Sequence, residues 1–181
     1  MPVTTLSTTT LKAGDTGADV KELQQLLNEH NHPSLELTVD GIFGPTTKHA
    51  VTRFQFTYFL TQDGVVSPKT RNVLLKGGVA HLPILRRGAN GRLVKRVQQV
   101  LSLGSKIRPL NVVQQAAGTR GFYFGPIDGD FGPMTENAVK AFQRLPVTHH
   151  QEPLSSIDGI IGPETWRALT ILTDIILHAG R

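Results

Sequence analysis

Four Asp-Gly pairs stand in this chain, at Asp40-Gly41, Asp63-Gly64, Asp128-Gly129 and Asp158-Gly159, alongside seven histidines, one tryptophan and no cysteine. A glycosidase needs two carboxylates facing a sugar across a cleft, and Asp40 with Asp63, or Asp128 with Asp158, are the paired candidates. Their recurrence at matching places favours a structural role. Asp followed by Gly makes a tight turn, because Gly accepts φ > 0 and the carboxylate accepts nearby backbone N–H bonds. The Pro that follows starts a helix, and a carboxylate near that end is favoured by the helix dipole. His30-Asn31-His32 and His149-His150 lack the His-Glu-x-x-His pattern of a zinc hydrolase and read as solvent-facing loop histidines. Asp128-Gly129-Asp130 lacks the further oxygen ligands of a calcium loop. Without cysteine there is no thiolate nucleophile, disulfide or cysteine-ligated metal. The residues therefore point to a protein that is not an enzyme and uses no metal or cofactor.

The segments that must position these residues occur twice. The block from Gly14 to Gln24 returns 74 residues later, from Gly88 to Gln98. Asp40-Gly41-Ile42-Phe43-Gly44-Pro45-Thr46-Thr47 returns 88 residues later as Asp128-Gly129-Asp130-Phe131-Gly132-Pro133-Met134-Thr135. Asp63-Gly64-Val65-Val66-Ser67-Pro68-Lys69-Thr70 returns 95 residues later as Asp158-Gly159-Ile160-Ile161-Gly162-Pro163-Glu164-Thr165. The second copy has thus gained 14 residues in its first connection and 7 in its second. Three ordered blocks separated by insertions at connections identify a duplication.

Each block reads as a helix. Val20, Leu23 and Leu27 form an apolar stripe that Asp15 or Thr16 is placed to cap, with Pro33 beyond its end, and Val94, Val97 and Leu101 repeat it up to about Gly104. Pro45, Pro68, Pro133 and Pro163 suit the first helical position, and Ala50 with Phe54, or Ala138 with Phe142, gives an i, i+4 core face. Gln24, Gln55, Gln98 and Gln143 each follow an apolar residue at a helix-face edge, where they either tie helices together or line a groove. Strand signals are few, with one short extended piece at 121–124. The expected fold is all-α, two tandem three-helix bundles: an N-terminal tail over 1–10, repeat 1 over 11–76, a linker over 77–83, and repeat 2 over 84–178 with an insertion at about 102–119 that holds an extra helical turn near 109–115.

With 39% hydrophobic and 18% charged residues the composition is globular. The richest apolar stretch, 169–177, is interrupted by polar residues and too short to span a bilayer, and residues 1–10 carry no signal-peptide pattern. The net charge of +5 suits anionic partners, but the scattered Lys and Arg do not indicate nucleic acid.

These residues together, Gly-x-x-Gly-x-x-Val-x-x-(Leu/Val)-Gln, then Asp-Gly-x-Phe-Gly-Pro-x-Thr with Ala-Val and Phe-Gln, then Asp-Gly-x-x-(Gly/Ser)-Pro-x-Thr, resemble the peptidoglycan-binding domain family of wall hydrolases and phage lysins. The resemblance covers most of the chain, about 11–76 and 85–172. Repeat 2 is nearer the family's form, with Tyr123 and Trp166; repeat 1 has Ser67 where the family prefers Gly and Arg71 where Trp is common, which would make it the weaker binder. The resemblance implies non-catalytic binding of peptidoglycan, through its glycan strand or stem peptide, alone or as the targeting part of a hydrolase that could be a separate catalytic chain. The alternatives are a protein-interaction scaffold built on the same bundles and an unrecognised hydrolase. The family's other use, as a zinc-protease pro-segment, depends on a cysteine that is absent here. The candidate ligand contacts are Asp40, Phe43, Gln55 and Tyr58 in repeat 1, and Tyr123, Asp128, Phe131, Gln143 and Trp166 in repeat 2. A monomer in the cell envelope or outside the cell is expected, with the missing signal pattern leaving the cytoplasm open.

Overall fold

The structure is a computed structural model, which describes residues 9–30, 36–79, 81–104, 123, 125–145 and 154–179. The chain divides into two compact units, Met1–Gly78 and Val79–Arg181. The first holds α1 (Ala18–His30), α2 (Pro45–Thr57) and α3 (Pro68–Lys76); the second holds α4 (Arg92–Gly104), α5 (Pro133–Gln143) and α6 (Pro163–Ala179). The all-α expectation holds: among the described residues there are no strands, only four isolated antiparallel bridges. The 109–115 segment, most of 121–124, and His32, His149 and His150 lie outside the described residues.

The predicted prolines do begin α2, α3, α5 and α6, where a missing N–H leaves nothing unsatisfied. Ser67 caps α3 by accepting the Thr70 amide. The start of α1 differs from the sequence reading. The Asp15 carboxylate turns back to the Lys12 amide at 2.8 Å and Thr16 pairs with Ile42, so Gly17 stands at the helix start and takes the first bond, from the Lys21 amide. His30 is also not a loop residue: it ends α1, half-buried, with Nε2 2.8 Å from the Leu74 carbonyl and its ring edge-on to Phe54.

In each unit the first helix packs on both others. Val20, Leu23 and Leu27 meet Val51, Phe54 and Leu74 in one core; Val94, Val97 and Leu101 are the matching buried stripe of the second unit, with Phe142 and Leu169 also buried. The bridges repeat as well: Leu11 with Val66 and Thr16 with Ile42 correspond to Leu85 with Ile161 and Asn90 with Asp130. These short pairings hold the connections against the helices, which is where the Asp-Gly turns lie.

Candidate functional site

Every Asp-Gly turn is built around a buried glutamine. Gln24 is 1% exposed. Its Nε2 donates to Asp40 Oδ1 at 2.7 Å, to the Ile42 carbonyl at 3.2 Å and to Thr47 Oγ1 at 3.1 Å, and its Oε1 accepts the Gly41 amide at 2.9 Å. Asp40 Oδ1 also accepts the Ile42 amide, and the Thr47 hydroxyl donates onward to the Ile42 carbonyl. The arrangement recurs with Gln55, Asp63, Gly64 and Thr70. It recurs again with Gln98, Asp128, Gly129 and Thr135, and with Gln143, Asp158, Gly159 and Thr165. Only a primary amide both donates and accepts in this geometry: a carboxylate cannot donate, and an aliphatic side chain would strand the glycine N–H. The four turn glycines have φ between 70° and 89°, and a Cβ on Gly41 or Gly64 would lie 2.9 Å from the Lys21 or Lys48 stem.

Asp40, Asp128 and Asp158 are tuned by these contacts. Asp40 is held below the usual range by the Gln24 amide and then the Ile42 N–H; Asp128 by the Asp130 N–H and then Gln98. For Asp158, burial pushes upward, but the Ile160 N–H and Gln143 outweigh it and the net direction is down. A carboxyl depressed in the folded state stabilises the fold above its unfolded value, near 3.9, and that contribution is lost as pH falls through the folded value. Melting temperature should therefore hold from pH 7 to about 5 and fall below about pH 4. Asp128→Asn should lessen the acid sensitivity of the second unit, and circular dichroism melts between pH 7 and 2.5 would show this. A melting temperature that rises on acidification through pH 4 would contradict the assignment.

Of the nine candidate contacts, six are core: Phe43, Phe131, Gln55, Gln143, Tyr123 and Trp166 are each no more than 3% exposed. The Tyr123 hydroxyl donates to the Pro126 carbonyl at 2.5 Å, and burial raises its pKa. Asp40 and Asp128 are exposed, and Tyr58 is half-buried beside Phe54 with its hydroxyl 3.4 Å from His30 Nδ1. Four of the nine belong to the first unit and five to the second. Exposed aliphatic side chains flank the first Asp-Gly turn of each unit: Val39 and Ile42 in the first unit, Ile127 and Met134 in the second.

Sequence reasoning missed two things. The four threonines are members of the turn network; their fixed spacing after each Asp-Gly was the available signal. Arg71 also does the work of Trp166. Trp166 Nε1 donates to the Pro83 carbonyl at 2.8 Å, and Arg71, 7% exposed, donates from Nη2 to the Thr9 carbonyl, the equivalent acceptor 74 residues earlier. Either side chain fastens the last helix of its unit to the segment that leads into the first.

Comparison with known proteins converges on one family. A model described as a putative peptidoglycan binding domain matches residues 16–74 and 113–148. The zinc D-Ala-D-Ala carboxypeptidase of Streptomyces albus G is 43% identical over 63 residues, 35% of this chain and 25% of that protein. The N-acetylmuramoyl-L-alanine amidase CwlL of Bacillus licheniformis is 30% identical over 180 residues, 91% of this chain and 46% of its own length. The solved SleB N-terminal domain is 35% identical, with a TM-score of 0.37, over 40% of this chain and 96% of that one. The chain spans less than half the length of the curated relatives it matches. With the two matched segments together covering more than half of its residues, the chain belongs to the peptidoglycan-binding domain family.

Proposed function

We propose that this chain holds bacterial peptidoglycan without cutting it and serves, in the cell envelope or outside the cell, to keep a wall hydrolase at its substrate. Family membership supports the wall as ligand, and the names of the relatives, amidases and a carboxypeptidase, support a hydrolase as partner. The observation that carries the non-catalytic part is the repeated turn network. In all four turns Asp Oδ1 is engaged by a glutamine amide and a backbone N–H, which supports a turn-holding role for the candidate carboxylate dyads. Among the described residues no group of three His, Cys, Asp or Glu is placed to hold a metal, and none of the described helices is long and apolar enough to cross a membrane.

Ligand contact is assigned to side chains that reach the surface: Asp40 and Asp128, Tyr58, and the aliphatic neighbours Val39 and Ile127, whose apolar surface suits alkyl stems. The buried candidates Phe43, Gln55, Tyr123, Phe131, Gln143 and Trp166 act by holding that surface in shape. The two units work as a tethered pair, because a glycan strand repeats its motif and linkage raises apparent affinity by about 10²- to 10⁴-fold when both sites engage.

The intact protein should sediment with purified sacculi, be released by soluble muropeptide, and liberate no reducing ends or free amines above buffer. Residues 1–78 and 79–181 made separately should each sediment more weakly than the whole. Failure of the intact chain to sediment would transfer the fold to the scaffold reading; release of amines, abolished by substituting one Asp or His, would make it an enzyme.

A further inference from the structure

The charge of this chain belongs to one unit. Residues 1–78 carry seven Lys and Arg against seven Asp and Glu, whereas 79–181 carry twelve against seven, so the net +5 lies wholly in the second unit. No acidic residue occurs between Asp63 and Asp128.

Duplication shows where the difference is placed, because the same backbone positions exist twice. The Gly14 amide bonds the Phe43 carbonyl and the Gly17 amide that of Gly41, at 3.0 and 2.9 Å; Gly88 to Phe131 and Gly91 to Gly129 repeat both distances. On this shared frame Ala13, Asp15, Ala18 and Asp19 of the first unit are replaced by Arg87, Ala89, Arg92 and Leu93 in the second, while Lys12 and Lys21 stay basic as Arg86 and Lys95. Arg86, Arg87, Arg92 and Lys95 are exposed.

The facing elements bring acids too. Asp128 and Asp130 are exposed on the turn that Lys95 overlies, and Glu136 of α5 lies 2.7 Å from Arg87 Nε and 2.6 Å from Lys140 Nζ. Among the described residues three acids thus face these four cations together with Lys140 and the half-buried Arg96, and the surface stays basic. Apart from the Arg87–Glu136 pair, fold stability does not explain it. Cations in the first turn of a helix oppose its dipole, and α4 has no acid there, where α1 keeps Asp19. The same backbone frame carries this basic surface in one copy and not in the other, which points to a ligand.

We infer that the surface formed by Arg86, Arg87, Arg92 and Lys95 docks an anionic phosphodiester polymer of the bacterial wall, and that the first unit lacks this activity. The inference rests on the wall-binding reading above. Three of the four cations are arginine, whose planar fork pairs with two oxygens of one phosphate. A polymer with an anion in every repeat engages several such groups at once, whereas stem peptides present separated carboxylates. Exposed cations of this kind bind with strong dependence on salt.

The test uses the intact chain and the variant Arg87→Ala/Ala89→Asp/Arg92→Ala, which installs residues that the first unit already carries on the same backbone; thermal melting confirms that it folds. Binding is measured to sacculi that retain their phosphodiester polymers, to sacculi stripped of them with hydrofluoric acid, to soluble poly(glycerol phosphate) and to duplex DNA. The intact chain should bind unstripped sacculi about tenfold or more tighter than stripped ones at low salt, with the advantage fading as salt is raised. The variant should lose that advantage and bind stripped sacculi as the parent does. Equal parental binding to both sacculi, an advantage kept by the variant, or DNA bound as tightly as poly(glycerol phosphate) each overturns the inference. Binding to poly(glycerol phosphate) but not to stripped sacculi would sink the peptidoglycan reading and leave this one standing; the converse would do the reverse.

Discussion

Trp166→Ala should destabilise the second unit by about 3–5 kcal/mol, the usual loss when a fully buried large aromatic is truncated in a core. Trp166 is 1% exposed, and its Nε1 bond to the Pro83 carbonyl fastens α6 to the segment leading into α4. Single domains are stable by about 5–15 kcal/mol, so this one change removes about a fifth or more of the reserve. For a unit of this size each kcal/mol is worth roughly 4–8 °C, giving a fall of upwards of about 12 °C. Trp166→Phe separates the two contributions. It keeps most of the volume, loses the hydrogen bond to the Pro83 carbonyl and leaves only a small void, for a cost of about 1–2 kcal/mol. Because this is the chain's single tryptophan, the comparison is made by far-ultraviolet circular dichroism. A fall under about 4 °C for Trp166→Ala would mean that the indole does not hold the unit together.

Gln98→Ala should be nearly as damaging, at about 3–4 kcal/mol, through a different mechanism. Gln98 is fully buried; its loss leaves the Gly129 amide without its 2.9 Å acceptor and the Asp130 carbonyl without its 3.1 Å side-chain donor, and opens a void against Thr135. Gln98→Glu sharpens the point. At neutral pH it sets a carboxylate oxygen against Asp128 Oδ1 and the Asp130 carbonyl, both acceptors. A carboxyl so placed has its folded-state pKa raised, so protonation in acid restores a donor and the penalty shrinks as pH falls, opposite to the trend of the unmodified turns. Chemical denaturation of the parent and both variants at pH 7 and pH 4.5 checks magnitude and sign. Equal penalties for Gln98→Glu at the two pH values would refute the donor role.

What could be read from the sequence was local. Pro45, Pro68, Pro133 and Pro163 mark helix starts because the constraint acts within one turn, and Phe54 and Phe142 declare themselves as core through Ala50 and Ala138 on the same face. The Asp residues were recognisable as turn residues for the same reason. The partners of those turns were not, since Gln24 and Gln98 act over separations of 16 and 30 residues and a glutamine at the edge of a helical stripe looks alike whether it faces solvent or core. Nor does Asp-Gly-x-Phe say which way its ring points, so Phe43 and Phe131 stood among the ligand contacts although both are buried. Arg71 signals its role only beside Trp166, because a cation and an indole share nothing but a long apolar body and an N–H at the tip.

The glutamine turns also differ in what they cost to close. In each unit the middle helix receives one turn at its start and supplies the glutamine for the next, as α2 does through Thr47 and Gln55. Closing the first turn of the first unit joins residues 17 apart, Gln24 and Gly41, whereas in the second unit Gln98 and Gly129 are 31 apart. The entropy of closing the longer loop adds about 0.5 kcal/mol. The later turns span 9 and 16 residues, shorter in each unit than the first. On loop length alone the C-terminal turn of each unit costs less to close than the first, and the first unit, with both loops shorter, has the smaller loop-closure cost.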